Sequence, residues 1–353
     1  VTDLTERPAE ARLAEAGRLA AEDTHHPFDL ERGPVFRAAL VRLAATEHWL
    51  LLNVHHLVFD AWSEEILQRE LAAIYRAQCE GKPHGLPDLA LQYGDFAAWQ
   101  SEHYQESIEP HLAYWKQRLT RLPERLNLPA DAPRAAAVDS AGATERLTLD
   151  EALLQQLKTV SRAGNATLFM TLLAAWEVLL HRYCGQDDLL IGTPMAGRAQ
   201  HEFEALIGFF VNTLVVREDL AGNPPFRQLL QRVRETVLAA IEHQVVPFER
   251  LARELVTSRA EGQNPLFDVM FVFQVDGGRQ WKAHELAIET LETDTGTAKF
   301  DLTLFVTDEG RALQLALEYR TSLFRPETAR HMLRHHGQLL RSIAANPDAP
   351  LGE

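Results

Sequence analysis

Residues 35–63 read VFRAALVRLAATEHWLLLNVHHLVFDAWS, and this stretch sets the local frame of the fold. Two apolar, β-rich runs flank the short segment 44–48, which predicts two paired strands joined by a turn. After the second run, Ser63 is a good N-cap for an amphipathic helix that follows it. The stretch therefore predicts strand, turn, strand, loop and helix, with His55 and His56 at the end of the second strand.

Outside this stretch, helical and strand-like segments alternate along the chain. Helices are predicted over residues 7–23, 150–163, 167–183, 225–242 and 326–345, and strands over 144–149, 189–192, 208–216, 266–275, 300–307 and 313–319. No short-period repeat is visible. The alternation indicates a mixed α/β fold.

The length of the chain predicts two lobes. With 353 residues, it is long for one compact domain and short for three. Residues 123–142 concentrate proline, alanine and aspartate and show little apolar periodicity, as linkers do. We therefore predict a linker at 126–142, between an N-terminal lobe of residues 1–125 and a C-terminal lobe of residues 143–353.

Composition excludes several classes of function. The formal net charge is -15 at pH 7, which disfavours binding to nucleic-acid phosphates and to anionic lipid. No stretch approaches the roughly 20 apolar residues of a membrane span, and the first residues lack a signal-peptide pattern. The two cysteines, Cys79 and Cys184, lie in helical-looking runs, which predicts neither a disulfide framework nor a thiolate metal site. We expect a cytoplasmic protein without nucleic-acid or membrane partners.

The histidine pair and the aspartate that follows it offer acid–base chemistry. Because adjacent side chains of a strand point to opposite faces, only one of His55 and His56 can line a cavity unless the strand ends between them. Asp60 lies four residues after His56, where its carboxylate can fix the loop or pair with an arginine. An oriented imidazole suits proton transfer near neutral pH. On spacing alone, a core histidine beside a helix cap remains an alternative.

Other site chemistries find little support. Two histidines and one carboxylate can form the facial triad of a non-haem iron site, but adjacent histidines at a strand end fit that geometry poorly. The chain contains no H-E-x-x-H, no G-x-S-x-G and no Walker-type loop, and we expect no metal. What remains is a reaction in which the protein orients two bound reactants and manages one proton.

Five ordered motifs resemble those of condensation domains from nonribosomal peptide synthetases. The stretch from His55 to Ser63 resembles the HHxxxDG signature of that family. The later matches are Tyr93-Gly-Asp-Phe-Ala-Ala-Trp99, Ile207-Gly-Phe-Phe-Val-Asn-Thr213 with Arg217, His243-Gln-Val-Val-Pro-Phe-Glu249 and Asn264-Pro-Leu266. The resemblance covers residues 27–320. Since the motifs keep the family's order, the functional interpretation of the histidines outweighs the core-histidine alternative.

The resemblance implies an α/β (α+β) fold of two chloramphenicol acetyltransferase-like lobes in a V-shaped pseudo-dimer, with a segment near 280–300 crossing to the N-terminal lobe. It implies peptide-bond formation, with an acceptor amine attacking a donor thioester, in antibiotic or siderophore biosynthesis. The implied partners are an upstream donor and a downstream acceptor peptidyl carrier protein domain and an adjacent adenylation domain, within one monomeric multidomain chain. No intrinsic cofactor is expected, because phosphopantetheine arrives on the carrier proteins as part of the substrate.

The same resemblance assigns expected roles to individual residues. His56 is expected to be the catalytic residue, which positions or deprotonates the acceptor amine. His55 and Asp60 carry over as supporting residues, with Asp60 in an ion pair that holds the loop. Trp62 and Asn212 are expected to line the substrate tunnel.

The chain departs from the family pattern at three places. Ala61 stands where relatives have glycine, which is expected to narrow or reshape the acceptor channel; alanine is tolerated there if its φ is negative. Residues 258–264 depart from the usual arginine-rich form. The arginine-bearing helix that would pair with Asp60 has no counterpart, which predicts an incomplete N-terminal lobe and places the partner of Asp60 in a missing N-terminal segment.

Two other functions stay open on the sequence alone. One is a catalytically silent, condensation-like docking module, and the other is a free-standing acyltransferase of the same superfamily that uses a small-molecule thioester. An epimerisation domain would need an additional glutamate-bearing segment in the second lobe. A heterocyclisation domain would have aspartates in place of His55 and His56.

Overall fold

The computed structural model describes residues 1–134, 140–198, 200–256, 264–275, 280–291 and 295–352. Within them the chain forms two compact units. The first unit comprises Val1–Ala97, Arg198–Phe210 and Gln280–Thr295, and the second comprises Ala98–Gly197, Val211–Arg279 and Gly296–Glu353.

Helices and strands alternate along the described residues. The helices are α1 (Ala9–His25), α2 (Ala61–Glu80), α3 (Tyr93–Arg118), α4 (Glu151–Ala163), α5 (Leu168–Cys184), α6 (Phe226–Glu242), α7 (Phe248–Leu255) and α8 (Pro326–Ala345). The strands are β1 (Thr2–Asp3), β2 (Phe36–Arg42), β3 (His48–Val54), β4 (Gly142–Asp150), β5 (Asp188–Met195), β6 (Asn212–Asp219), β7 (Val269–Val275), β8 (Gln280–Ala283), β9 (Leu286–Glu289), β10 (Leu302–Asp308) and β11 (Ala312–Arg320). The predicted mixed α/β class is confirmed.

The first unit is built on the sheet β1-β2-β3. Strands β2 and β3 pair antiparallel, so the predicted strand pair is confirmed. Alternate residues of both strands pack against α1, where Val41 and Ala16 are buried and Trp49 and Leu51 pack on them. Strand β3 ends at Val54, immediately before the two histidines. The histidine loop therefore begins directly at the end of strand β3.

The prediction that Ser63 caps the following helix is wrong. Helix α2 begins at Ala61, and Asp60 is its N-cap, with extended backbone angles (φ -127°, ψ 175°). The Asp60 carboxylate accepts a hydrogen bond from the backbone N–H of Ser63 at 2.8 Å. Because a carboxylate also complements the positive end of the helix dipole, it caps this helix better than the serine three residues later.

The second unit surrounds one six-stranded sheet in the order β4-β11-β10-β7-β5-β6. One face packs Leu189, Ile191 and Val216 into a core with helices α4, α5, α6 and α8. The opposite face packs Leu190 and Val215 into a second core with α3 and α7. The alternation along β5 and β6 thus explains why both runs are apolar without interruption.

The two units divide the chain at residue 97, which differs from the boundary drawn from the linker-like composition at 126–142. The physical reason is the packing of α3. This helix spans residue 97, and its later residues, among them Leu112 and Trp115, are buried in the second unit's core. Residues 135–139 of the predicted linker lie outside the described residues. Residues Gln280–Thr295 belong to the first unit.

No single described helix is both long and apolar enough to cross a membrane. Helices α4 and α5 meet that length and composition only when they are taken together, and they are bent by 100° at the break between them.

His336 is a titratable group in the second unit's core. It lies on α8, is completely buried, and its ring meets the Trp176 ring edge-on at 5.5 Å. Among the described residues, neither ring nitrogen of His336 has a hydrogen-bond partner. Burial alone lowers the pKa of His336 to about 3, because the interior offers nothing that stabilises the imidazolium.

We therefore expect the stability of the protein to fall on acidification through His336. The folded pKa lies below the unfolded value, so this contribution is full above about pH 6.5 and is lost as the pH falls toward 3. Between pH 7 and pH 5 the loss is about 2 kcal/mol. Urea unfolding at both pH values should show that His336→Leu removes this component. His331→Leu, an exposed histidine on the same helix, is the control and should retain it. Equal pH dependence in wild type and His336→Leu would contradict the assignment.

Candidate active site

The histidine loop leaves β3 as a single tight turn. Residues His56–Val58 form one turn of 3₁₀ helix, and His55 caps it by accepting the Leu57 backbone N–H on Nδ1 at 3.0 Å. The exposed His56 ring places Nδ1 2.5 Å from the carbonyl oxygen of Phe59. Since a carbonyl oxygen only accepts, Nδ1 of His56 carries the proton. In the neutral ring, Nε2 is then the basic nitrogen.

His55 and His56 have opposite tautomers because their ring nitrogens meet opposite partners. Nδ1 of His55 accepts a hydrogen bond from the Leu57 N–H, so in the neutral ring Nε2 carries the hydrogen. The His55 ring also packs edge-on against Phe28 at 5.7 Å, and the Arg37 guanidinium lies 4.0 Å over that phenylalanine ring. His55 is thus held by contacts on two sides, which suits a supporting role.

Asp60 is the buried anchor of the loop and the helix. Its Oδ1 accepts hydrogen bonds from the N–H and Oγ of Ser63, at 2.8 and 2.7 Å, and from Arg198 Nη2 at 2.9 Å. Its Oδ2 accepts the Phe210 backbone N–H at 3.0 Å. A buried carboxylate needs such full pairing, because an unpaired charge in the interior is costly.

Arg198 is the ion-pair partner of Asp60, and the prediction that this partner lies in a missing N-terminal segment is wrong. The Arg198 side chain is only 1% exposed. Besides Asp60, it donates from Nη1 to the Phe203 carbonyl at 3.1 Å and lies 3.9 Å over the Phe210 ring. Burial lowers the pKa of Arg198, while Asp60 acts in the opposite direction.

Sequence reasoning missed Arg198 because nothing local marks it. It follows β5 in the segment Pro194-Met-Ala-Gly-Arg198, which lies 138 residues after Asp60. The chain has 35 lysines and arginines, and an arginine in a loop gives no sign of burial. The requirement for a cationic partner was predictable from Asp60, whereas its position depends on the tertiary fold.

Ala61 and Trp62 open helix α2. Ala61 is the first helical residue and is not among the positive-φ positions of the described chain, so its methyl group strains no backbone. Trp62 is 41% exposed, and its indole Nε1–H donates to the Glu204 carbonyl at 3.0 Å. The expected effect of Ala61 on the acceptor channel and the tunnel role of Trp62 stay predictions.

Asn212 belongs to the second unit. Its Nδ2 donates to the carbonyls of Gln244 and Val246 at 2.8 and 2.9 Å, and its Oδ1 accepts the Phe248 N–H at 3.1 Å. The asparagine therefore closes the turn that leads into α7 and joins two of the motifs recognised in the sequence. Its predicted tunnel role stays a prediction.

Metal chemistry has no evident site in the part of the chain that the structure describes. There, no group of three or more histidine, cysteine, aspartate or glutamate side chains could hold a metal ion. The carboxylate of Asp60 is turned to Ser63, Phe210 and Arg198. This arrangement removes it from the iron triad considered for the two histidines.

Comparison with known proteins gives one consistent family. A family model described as the condensation domain matches residues 1–353. A linear gramicidin synthase of Brevibacillus parabrevis is 45% identical over 352 residues, and phosphinothricin tripeptide synthetase PhsC of Streptomyces viridochromogenes is 42% identical over 350. The crystal structure of the X-domain from teicoplanin biosynthesis has a TM-score of 0.86 with 28% identity over 99% of this chain and 79% of that one.

The matched synthases are far longer than this chain. The alignment with the gramicidin synthase spans 99% of this chain but 4% of that protein, and the alignment with PhsC spans 98% and 32%. The similarity therefore concerns one domain of these multidomain proteins.

Proposed function

Because this chain belongs to the condensation-domain family of nonribosomal peptide synthetases, we propose that it forms a peptide bond between two carrier-bound thioesters. The acceptor amine attacks the carbonyl carbon of the donor thioester, a C–N bond forms, and the C–S bond breaks. The donor phosphopantetheine leaves as a thiol and takes up the proton that the amine loses. The observation that carries the proposal is the 2.5 Å contact between His56 Nδ1 and the Phe59 carbonyl oxygen, which assigns the proton to Nδ1 and leaves Nε2 as the basic nitrogen.

His56 is the proposed catalytic residue. Nε2 accepts a hydrogen bond from the acceptor amine and directs the lone pair of that amine at the thioester carbonyl. Model α-amines titrate at about 7.7 to 8.0, so a large share of the amine is already neutral near pH 7.5. Positioning therefore supplies much of the rate, and Nε2 receives the proton as the bond forms.

Asp60 and His55 act through the loop. Asp60 fixes the first turn of α2 and, through Arg198, the residues that follow β5. His55 caps the turn that presents His56. Neither residue is proposed to touch the substrate.

The proposed partners follow from the chemistry of the substrates. Donor and acceptor peptidyl carrier protein domains deliver phosphopantetheine thioesters, and an adjacent adenylation domain loads the acceptor carrier. Phosphopantetheine thus enters as part of the substrate. The relatives include synthases of peptides, which supports this setting.

A second candidate is a docking module without catalysis. It is favoured by the likeness to the X-domain of teicoplanin biosynthesis, which is described in complex with OxyB (TM-score 0.85, 27% identity). Against it stands the intact arrangement of His56, Asp60 and Arg198. A docking surface would not need the bond that holds the His56 ring.

The test is a transfer assay. Donor and acceptor carrier proteins are loaded with a panel of aminoacyl-phosphopantetheine thioesters and mixed with the protein, and the acceptor carrier is analysed by mass spectrometry. We expect a dipeptidyl species on the acceptor carrier for at least one pair. Acyl transfer from a small-molecule thioester alone, without a carrier, would favour the free-standing acyltransferase. No dipeptidyl product from any pair would contradict the proposal and favour the docking module.

A further inference from the structure

Phe209 is aimed at the His56 ring. The two ring centroids are 5.1 Å apart, and the ring planes meet at 89°, an edge-to-face contact. The adjacent Phe210 turns the other way and is buried against Tyr93 and Phe96, at 5.2 and 4.4 Å. Phe210 is therefore a core residue, whereas its neighbour Phe209 is half-buried beside the histidine loop.

Tyr93 fixes the backbone that carries Phe209. Its ring packs so closely on Gly208 that a Cβ atom at that position would overlap it. From there the Tyr93 hydroxyl donates a hydrogen bond to the Phe209 carbonyl at 2.8 Å. Burial raises the pKa of Tyr93, so the hydroxyl keeps its proton and remains a donor through the neutral range.

The residues on both sides of Phe209 are held by the same side chains that fix the histidine loop. Gly208 donates its N–H to Ser63 Oγ at 3.0 Å, and Ser63 Oγ lies 2.9 Å from the Gly208 carbonyl. Phe210 donates its N–H to Asp60. Ser63 and Asp60 start helix α2, directly after the turn that presents His56. The segments that carry Phe209 and His56 are therefore both attached to the first turn of α2.

The His56 ring needs a second constraint besides its hydrogen bond. The torsion between Cβ and an imidazole ring has a broad, roughly two-fold profile, so an exposed ring is poorly fixed by its own rotamer preference. The bond from Nδ1 to the Phe59 carbonyl fixes one atom of the ring. The edge-to-face contact with Phe209 fixes the plane.

We propose that Phe209, held by Tyr93, is a positioning residue that sets the plane of the His56 imidazole and hence the direction of its Nε2 lone pair. This inference rests on the proposed role of His56 in peptide transfer. It gives a role to the contact between the half-buried Phe209 ring and the exposed His56 ring, which core packing does not require. It also explains why three successive backbone positions, 208–210, are bonded to side chains of the first unit.

The test combines nitrogen NMR with kinetics. In wild type, the ring ¹⁵N signals of His56, assigned with His56→Gln, should show the Nδ1-protonated tautomer. In Phe209→Leu, which keeps apolar volume but loses the ring, the signals should shift toward those of a free histidine. The first-order transfer rate should fall about threefold to tenfold with KM unchanged, as expected for loss of one ring contact. Phe209→Tyr retains the ring and should restore both readouts, and Tyr93→Phe should shift both in the same direction by less.

Phe169→Leu is the matched control, because Phe169 is a half-buried phenylalanine of the second unit with a tilted ring contact to Phe271 and an edge-on contact to Phe273. It should change neither the His56 signals nor the rate. Unchanged ¹⁵N signals in Phe209→Leu would overturn the inference. The NMR readout needs no substrate, so it decides the role of Phe209 even if His56→Ala transfers at the wild-type rate and the proposed function of His56 fails.

Discussion

His56→Ala is expected to lower the rate of peptide transfer by about 10²- to 10⁴-fold, the usual contribution of a positioned acid–base group. Alanine removes Nε2, the atom proposed to receive the amine proton, and it removes the bond from Nδ1 to Phe59 as well. Since His56 is exposed, the fold should lose little stability. The measurement is single-turnover transfer between loaded carrier proteins, with thermal unfolding of the same samples.

Two further variants separate the effects of His56. His56→Gln keeps an amide that can orient the amine but cannot accept a proton, so it should recover part of the rate lost in His56→Ala. His48→Ala removes an exposed histidine at the start of β3, the strand that precedes His56, and should leave the rate unchanged. If folded His56→Ala transferred at the wild-type rate, the catalytic assignment would be wrong.

The local frame of the site was predictable because it depends on short-range patterns. Two apolar runs around a polar turn gave the pair β2 and β3, and β3 ends at Val54, before the histidines. The N-cap was placed three residues too late because serine and aspartate are both good caps. In the structure the cap is Asp60, whose carboxylate also accepts the hydrogen bond from Arg198.

Long-range features could not be predicted in the same way. Residues 208–211 have the apolar composition of a strand, and the sequence predicts one from residue 208, yet β6 begins at Asn212. The preceding backbone is bonded to the side chains of Ser63, Tyr93 and Asp60 in place of a strand ladder. The hydrophobic periodicity of a sequence gives no information about such side-chain to backbone bonds. The bonds that hold residues 208–210 were therefore visible only in the structure.

The ion pair between Asp60 and Arg198 gives the largest expected effect on stability. Arg198→Met should lower the free energy of unfolding by about 3–5 kcal/mol, because it leaves the buried Asp60 carboxylate without its cation. Methionine keeps an unbranched side chain beside the Phe210 ring but loses the guanidinium that lies over it, so the loss of stability reports on charge more than on volume. Urea unfolding at pH 7 measures the loss. Transfer activity should fall with it, because Asp60 holds the turn that presents His56.

The double variant Asp60→Asn/Arg198→Met keeps this prediction testable even if the single variant unfolds. It removes both charges and leaves no unpaired charge buried, so we expect it to be more stable than Arg198→Met alone. The coupling energy must then exceed the loss measured for Asp60→Asn on its own. Arg18→Met is the matched control. Arg18 pairs with Glu15 and Glu22 on the surface of α1, 57% of its side chain is exposed, and water screens such pairs so that they contribute little to stability. If Arg198→Met lost no more stability than that control, Asp60 would be held by Ser63 and Phe210 without its cation. The arginine would then be needed for neither the fold nor the loop. We therefore expect Arg198→Met to have the lowest free energy of unfolding, the double variant a higher one and Arg18→Met the highest. The reason is burial, because the two arginines differ chiefly in how much water surrounds their charge.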